Sequence, residues 1–173
     1  MNQTQAGNKT QAGQVVPMRR ADRAVTDMAE IEKILTACKV CHLAFQTEGA
    51  PYVLPLNFGY ALEKGKLTLY FHCAKTGRKL DLIAERPEVG FAIDRMTEDV
   101  LENDPCRSGC YFESVVGSGE AAVITDEKEA CQALSALMAH QFGAQVAFAP
   151  EQAKSVCVFK IVAHSFSAKR KEP

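Results

Sequence analysis

Two basic residues, Arg78 and Lys79, stand where a strand pattern in the sequence gives way to a helix pattern. Apolar and polar residues alternate over residues 67–72, as in a half-buried strand, and apolar residues of 80–84 then share one helical face. The loop between the two patterns holds small, hydroxyl and basic residues: Lys75, Thr76, Gly77, Arg78 and Lys79. Free backbone N–H groups and the positive end of a helix dipole attract anions at such a junction. The stretch therefore predicts a phosphate-binding loop, and a solvated basic first turn of a helix is the alternative.

The two basic side chains would contribute differently to phosphate binding. Arg78 can grip two oxygens in a fork, whereas Lys79 adds a point charge. The loop lacks the glycine spacing of a Walker loop and of a dinucleotide fingerprint. The expected phosphate ligand therefore belongs to neither of those two motif classes.

His72 is the histidine whose position best suits chemistry, because it ends the predicted strand just before the phosphate loop. A lone histidine has a structural role by default, so both roles stay open for His72 at this point. The other three have no comparable neighbourhood: His42, His140 and His164. No Ser/His/Asp elbow or paired-carboxylate pattern stands out in the chain. We therefore expect any acid–base catalysis to fall on His72.

The cysteines form two suggestive patterns. The run Cys38-Lys-Val-Cys41-His42 matches the haem-attachment pattern. Strand alternation, however, sends the side chains of Cys41 and His42 to opposite faces of a strand. Cysteines packed in the core are the alternative interpretation. Cys106 and Cys110 could join Cys38 and Cys41 as a four-thiolate zinc site, or stay separate. We favour neither covalent haem nor zinc, and expect no metal site.

Composition excludes several classes of protein. The chain of 173 residues is expected to form one domain. A net charge of −1, no tryptophan and 8% aromatic residues argue against a nucleic-acid-binding surface. No apolar run has the length of a membrane span, and no secretory signal is visible, so we expect a cytoplasmic protein with reduced thiols.

The elements that must position the loop are mostly strands. A polar N-terminal tail is expected over residues 1–17, a folded domain over 18–166 and a basic tail over 167–173. Six strands are predicted: 40–46, 52–60, 67–72, 89–96, 111–125 and 155–166, with a loop at 97–109. Three helices are also predicted. The first is capped by Thr26 or Asp27, and the second starts in the basic loop. The third is capped by Thr125 or Asp126 and ends at Gly143. Short antiparallel connections predict a small barrel with peripheral helices.

Two places in these strands should be irregular. Pro55 cannot donate to a strand ladder, so it marks a bulge, an edge strand, or a place where the ladder is interrupted for another group. Gly117 and Gly119 mark a bend in the long strand that contains them. Both irregularities are expected to have a packing or a binding reason.

Five segments together resemble the pyridoxamine 5′-phosphate oxidase-related flavoproteins, and most closely the branch of the 5-nitroimidazole resistance proteins. The segments are Cys41-His-Leu-Ala-Phe45, Pro51-Tyr-Val-Leu-Pro-Leu-Asn57, Leu69-Tyr-Phe-His-Cys-Ala74, Gly77-Arg-Lys-Leu80 and Tyr111-x-Glu-Ser-Val-Val-Gly-x-Gly119. Their order and spacing carry the resemblance over about residues 18–166. It implies a six-stranded antiparallel, Greek-key split β-barrel that binds FMN, as a homodimer with the flavin at the subunit interface.

The resemblance also implies a role for particular residues. Gly77, Arg78 and Lys79 would hold the FMN phosphate, with Lys75 or Thr76 helping. The isoalloxazine ring would lie beside Pro55, Leu56 and Asn57 and against Tyr70, Phe71 and His72. Glu113, Ser114 and Val115 would approach from the partner subunit. His72 would contact the substrate or transfer a proton.

Two functions remain open. The first is an FMN-dependent reductase that takes electrons from a reduced nicotinamide or a redox protein and passes them to a small electron-poor acceptor, such as a nitroaromatic compound or a quinone. The second is a non-catalytic flavin- or haem-binding module on the same barrel. Vitamin B6 oxidation is not expected, because nothing in the sequence suggests the substrate-binding Arg/His set of true pyridoxamine phosphate oxidases. No nucleic-acid or membrane partner is expected.

Overall fold

The computed structural model describes residues 18–172, which form eight strands and four helices. The strands are β1 Ala24–Val25, β2 Val40–Phe45, β3 Tyr52–Asn57, β4 Gly59–Glu63, β5 Lys66–Cys73, β6 Glu88–Val100, β7 Gly109–Val123 and β8 Cys157–Lys171. The helices are α1 Met28–Ala37, α2 Arg78–Glu85, α3 Glu127–Phe142 and α4 Pro150–Ala153. Single 3-10 turns lie at Ala21–Arg23 and Pro105–Arg107. The tail expected over residues 1–17 lies outside the described residues.

All eight strands belong to one antiparallel sheet in the order β3-β2-β6-β7-β8-β5-β4, with β1 beside β8. The sheet is not closed, because β3 and β4 pair on one side only. Only Phe58 separates these two edge strands in the chain, so the sheet curls until its two edges meet at one corner. The predicted class, an antiparallel split barrel with peripheral helices, is confirmed.

The predicted number of six strands is wrong. The segment 52–60 was expected to be one strand, but Phe58 is fully buried and divides it into β3 and β4, which lie at opposite edges of the sheet. The two-residue strand β1 is too short to show any alternation in the sequence.

Two boundaries also differ from the expectation. Strands β6 and β7 continue into the segment 97–109 as the arms of a long hairpin, so the expected loop shrinks to its tip. Strand β8 runs to Lys171, because residues 167–171 pair with β7. Arg170 in that segment bonds the buried Glu113 carboxylate, which explains why a basic stretch is ordered rather than a tail.

The main core lies between the curled sheet and α1. Its centre holds the Phe71 and Phe159 rings, which stack at 5.0 Å with an angle of 15° between their planes. A smaller apolar cluster lies where α3 and α4 cover the other face of β5 and β8: Ile124, Ala130, Ala133, Leu134, Ala153 and Val158. Burial of these apolar side chains is the main favourable contribution to the stability of the fold.

The expected helix caps and the expected bend are confirmed. The Asp27 and Asp126 carboxylates accept backbone N–H groups at the starts of α1 and α3, and Gly143 ends α3 in the left-handed conformation at φ 66°. The register of β7 against β8 shifts between Ser118 and Gly119. A Cβ atom on Gly119 would collide with the Val162 backbone, so glycine allows the close approach there.

Among the helices of residues 18–172, none combines the length and the apolar composition that a membrane span needs.

Candidate functional site

The loop between β5 and α2 is exposed and ends in an uncapped helix start. Gly77, the residue before α2, has φ 136° and ψ 161°, a conformation that other residues rarely adopt. No side chain caps α2, and a Cβ atom at Gly77 would have no neighbour within 4 Å. The first N–H groups of α2, beside Arg78, therefore have no side-chain partner, and Asp81 is the acidic residue of the first turn.

Arg78 extends from this helix start toward β3. Its guanidinium carbon lies 4.6 Å from the centre of the Tyr52 ring, within the range of a cation–π contact. Together with Tyr52, Val53 and the turn 47–51, Arg78 lines an open groove of about 760 Å³. Arg78 thus lies beside the start of β3, the strand that also carries Pro55.

Lys79 faces a different neighbour. Its charge acts on the Cys157 thiol at the start of β8, where it opposes the effects of burial and of Cys73, which raise the pKa of that thiol. Arg78 and Lys79 therefore extend to different sides of the helix start, as successive residues of a helix do. Lys75 and Thr76 are exposed in the loop that precedes them.

The β3 residues named from the sequence lie on an edge strand. Pro55 faces His42 of β2 in register and needs no donor on its open side, so the edge explanation of this proline is the right one. Leu56 packs against the core. The Asn57 side chain is held in place by two hydrogen bonds, because its amide donates to the Lys39 carbonyl at 3.1 Å and to Gln141 Oε1 at 3.0 Å.

The three neighbouring residues of β5 have different surroundings. Phe71 is fully buried and stacks on Phe159, so only its backbone can reach a ligand. Tyr70 lies half-buried against the smaller apolar cluster, where burial and then the Glu129 charge raise the pKa of its hydroxyl. The side chain of His72 is exposed.

Two of the three β7 residues, Glu113 and Val115, are buried and make contacts within the fold. Glu113 is only 8% exposed, and its two oxygens accept from Arg95 Nε and Arg170 Nε, both at 2.8 Å. Val115 is fully buried in the core, whereas Ser114 is partly exposed. Of these three, Ser114 presents the side chain that is free to meet a ligand.

A surface of small residues was missed by the sequence analysis. We call it the outer face: the residues of β2, β3, β6 and β7 on the side of the sheet away from the core, namely His42, Ala44, Val53, Pro55, Gly90, Ala92, Ser114, Val116 and Ser118. Val53 is 57% and Val116 42% exposed. Small residues at alternate strand positions were the available signal, but only the register places them side by side. Such a surface can accept a flat ligand or a second sheet.

The two cysteine patterns lie in different surroundings in the described residues. Cys38 and Cys41 are buried, and burial raises the pKa of Cys38 to about 11 and raises that of Cys41 as well. His42 faces the opposite side of β2 from Cys41, as alternation predicted, and Cys106 lies exposed in the distant hairpin tip. Across residues 18–172 no group of three or more potential ligands could hold a metal ion.

Comparison of the sequence with protein families gives one match. The model of the family described as pyridoxamine 5′-phosphate oxidase matches residues 27–170, which include the basic loop, β3 and the outer face. A comparison with curated proteins found no match.

Comparison of the structure with solved structures finds the same split-barrel architecture. A candidate 5-nitroimidazole antibiotic resistance protein from Bacteroides thetaiotaomicron is 26% identical, with a TM-score of 0.70 over 86% of this chain and 90% of that one. The flavocytochrome Anf3 from Azotobacter vinelandii is 20% identical, with a TM-score of 0.72 over 91% and 73% of the two chains. An FAD-binding protein from Mesorhizobium loti is 24% identical, with a TM-score of 0.62 over 87% and 98%.

Proposed function

The chain belongs to the pyridoxamine 5′-phosphate oxidase family, and from this premise we propose that it is a flavoprotein that binds FMN and passes electrons through it. One observation carries the proposal: an uncapped helix start, preceded by Gly77, places Arg78 against an open groove formed by the turn 47–51 and by Tyr52 and Val53 at the start of β3. A phosphate at the helix start would leave the remainder of a bound flavin free to lie along that groove.

The residues at this junction fit a phosphate group. The backbone at Gly77 is open where a side chain would otherwise stand, and the N–H groups that follow have no side-chain cap. A phosphate monoester carries close to two negative charges at neutral pH, which the helix dipole and two cations would balance. The Arg78 fork is also held in place by the Tyr52 ring, so less freedom is lost when it binds.

We prefer FMN to FAD for two reasons. The N–H groups at the start of α2 and the cations Arg78 and Lys79 suit a single terminal phosphate, and the family resemblance implies FMN. Related structures include FAD-binding proteins, so the two flavins are separate outcomes of the test. The flavin released by denaturing the purified protein identifies the cofactor directly by chromatography. Release of FMN supports this part of the proposal, and release of FAD contradicts it.

The ring would lie along β3 and the outer face. Pro55 and Asn57 are exposed on the edge strand, where no further strand covers them. Ser114 lies on the same face, two strands beyond β2. A planar ring system gains favourable contacts from such flat, small-residue surfaces.

A second copy of the chain would complete the site. The outer face leaves Val53 and Val116 in water in a single chain, and a second sheet would bury them. Ser114 of one subunit would then meet the flavin of the other. We therefore propose a homodimer, which size-exclusion chromatography with light scattering tests at concentrations used for the cofactor assay.

When bound, the flavin would supply the redox chemistry, with a reduced nicotinamide or a redox protein as the electron donor and a small molecule as the acceptor. His72 would hold and deliver the proton that the reduced acceptor takes up, since its side chain is exposed beside the loop. The acceptor class we propose is a small electron-poor compound such as a nitroaromatic or a quinone. The 26% identity to a candidate 5-nitroimidazole resistance protein supports that class.

The absorption spectrum of the purified protein is the deciding experiment, because it distinguishes flavin, haem and neither. FMN titrations should then compare the wild type with the double variant Arg78→Ala/Lys79→Ala, using Lys66→Ala at the far end of β5 as the matched charge control. We expect the double variant to weaken FMN binding about 100-fold or more and riboflavin binding little, because riboflavin lacks the phosphate. Unchanged FMN affinity in the double variant contradicts the assignment of the loop.

A non-catalytic flavin- or haem-binding module is the second candidate. It is supported by the shared fold of the flavocytochrome and of an FAD- and haem-binding protein from Mycobacterium smegmatis, which is 17% identical. Oxidation of reduced nicotinamide in the presence of a nitro compound separates the two candidates. Turnover above that of free FMN supports the reductase, and turnover equal to free FMN supports the binding module.

A further inference from the structure

Two cysteines face each other where β5 and β8 begin to separate. Cys73, the last residue of β5, lies directly opposite Cys157, the first residue of β8. The preceding pair on the core face of these two strands is Phe71 and Phe159, whose rings stack at 5.0 Å. Side chains two residues apart in a strand point to the same face, so the two thiols also stand side by side.

The pair is held close without being bonded. Directly opposite residues of antiparallel strands have Cβ atoms about 4.5–5.5 Å apart, slightly more than the roughly 3.5–4.5 Å of a disulfide. At the ends of two strands a small shift of the backbone closes that difference. Burial, and next the neighbouring Cys73 thiol, raise the pKa of Cys157, which is a second sign that the two sulfurs interact.

The pair is also accessible to small molecules. Both thiols are partly exposed, whereas Cys38 and Cys41 are buried. A molecule as small as hydrogen peroxide can therefore reach the two sulfurs from solvent.

We infer that Cys73 and Cys157 are a redox-active dithiol that peroxides convert into a disulfide at the base of the basic loop, and that a small dithiol reductant converts back. The Cys73 thiolate attacks one peroxide oxygen, the O–O bond breaks, and the departing hydroxide takes a proton to leave as water. The Cys157 sulfur then attacks the sulfenic acid on Cys73, the S–O bond breaks, and a second water leaves with the Cys157 proton. Hydrogen peroxide is reduced, and the two thiols are oxidised.

The disulfide would fix the end of β5 to the start of β8 and so anchor the loop that begins at Ala74. It would also close a long segment of chain, which lowers the conformational entropy of the unfolded state. This inference does not depend on flavin binding, because both thiols belong to the fold itself.

The test uses the full chain without added flavin, fully reduced, desalted and treated with a small excess of hydrogen peroxide. Free thiols are then blocked, the protein is digested, and linked peptides are identified by mass spectrometry. We expect a Cys73–Cys157 peptide pair that disappears after reduction, and a loss of two free thiols. Cys73→Ser and Cys157→Ser should each abolish the loss, whereas Cys110→Ser on β7 should retain it.

A thermal unfolding measurement provides a second readout on the same samples. Oxidation should raise the midpoint by about 5–10 °C in the wild type and in Cys110→Ser, but not in Cys73→Ser. The inference is overturned if no linked peptide forms, if oxidation stops at sulfinic acid on single cysteines, or if the disulfide joins Cys106 to Cys110 instead.

Discussion

His140 Nδ1 lies 2.6 Å from the carbonyl oxygen of Phe58, the single residue between the two edge strands of the sheet. The other ring nitrogen of His140 lies 2.9 Å from the carbonyl oxygen of Leu35, in the last turn of α1. Gln141 Nε2 donates to the same Phe58 carbonyl at 2.8 Å. Helix α3 therefore holds the open corner of the barrel against α1, and His140 is a structural residue rather than part of the candidate site.

Replacement of His140 should destabilise the fold. His140→Ala removes a buried ring and leaves the Leu35 carbonyl without this partner, so we expect the free energy of unfolding to fall by about 2–4 kcal/mol. Urea denaturation measures the change. His164→Ala is the matched control, since that half-exposed side chain only approaches Glu88 at 3.6 Å, and its cost should be below about 0.5 kcal/mol. Equal losses in the two variants would contradict the role of His140.

Gly59 should tolerate no side chain. It opens β4 beneath α3, and a Cβ atom there would lie 2.5 Å from the Leu137 backbone nitrogen. Backbone cannot move as a flexible side chain does, so Gly59→Ala must push α3 away and should cost about 2–4 kcal/mol. Gly49→Ala, with no atom near its Cβ, should change the unfolding midpoint little in the same urea titration. A Gly59→Ala variant as stable as the wild type would show that α3 moves freely.

Local chemistry was enough to predict the ends of the helices. Each helix start was narrowed to two adjacent residues, Thr26 or Asp27 and Thr125 or Asp126, and Gly143 was identified directly, because capping depends on neighbours only two or three positions away. The strand alternation around Phe71 likewise indicated correctly which side chains face the core. The basic loop was found for the same reason: its strand, glycine and helix start are adjacent in the chain.

Features that depend on distant residues were not predictable. At Phe58, where segment 52–60 divides, the carbonyl oxygen lies 2.6 Å from His140 Nδ1, a contact 82 residues distant in the chain that no local pattern reveals. The burial of Glu113 between Arg95 and Arg170 depends on the registers of β6, β7 and β8. Without those registers, Glu113 could not be distinguished from an exposed ligand-binding carboxylate.

The buried Cys38 thiol predicts a loss of stability in alkali. Burial raises its pKa from 9.0 to about 11, so the folded chain retains a proton that the unfolded chain loses. The stabilisation that comes from the protonated Cys38 thiol is therefore complete below about pH 9 and is lost as the pH rises toward 11. This loss lowers the free energy of unfolding by about 2–3 kcal/mol. Urea titrations across this pH range measure the slope. Cys38→Ala should show a shallower decline than the wild type, and parallel curves would contradict the assignment.

The Tyr52 ring should matter for phosphate binding through Arg78. Tyr52→Leu removes the aromatic face over which the guanidinium lies at 4.6 Å, so Arg78 becomes more mobile and FMN affinity should fall about 3–10-fold. Tyr52→Phe keeps the ring and should bind FMN like the wild type. Fluorescence titrations with FMN and with riboflavin separate the two effects, because a ring that only packed against the flavin would change both affinities alike.

Replacement of His72 should slow the reaction without releasing the cofactor. The imidazole is exposed on β5 just before the basic loop, whereas phosphate binding is assigned to the loop itself. If His72 supplies the proton to the reduced acceptor, His72→Gln should lower kcat about 100-fold while leaving FMN affinity within about twofold of the wild type. Reduction of the bound flavin by the donor, followed anaerobically, should keep its wild-type rate, because that step needs no proton from His72. Slowed flavin reduction with normal reoxidation by the acceptor would instead assign His72 to donor binding.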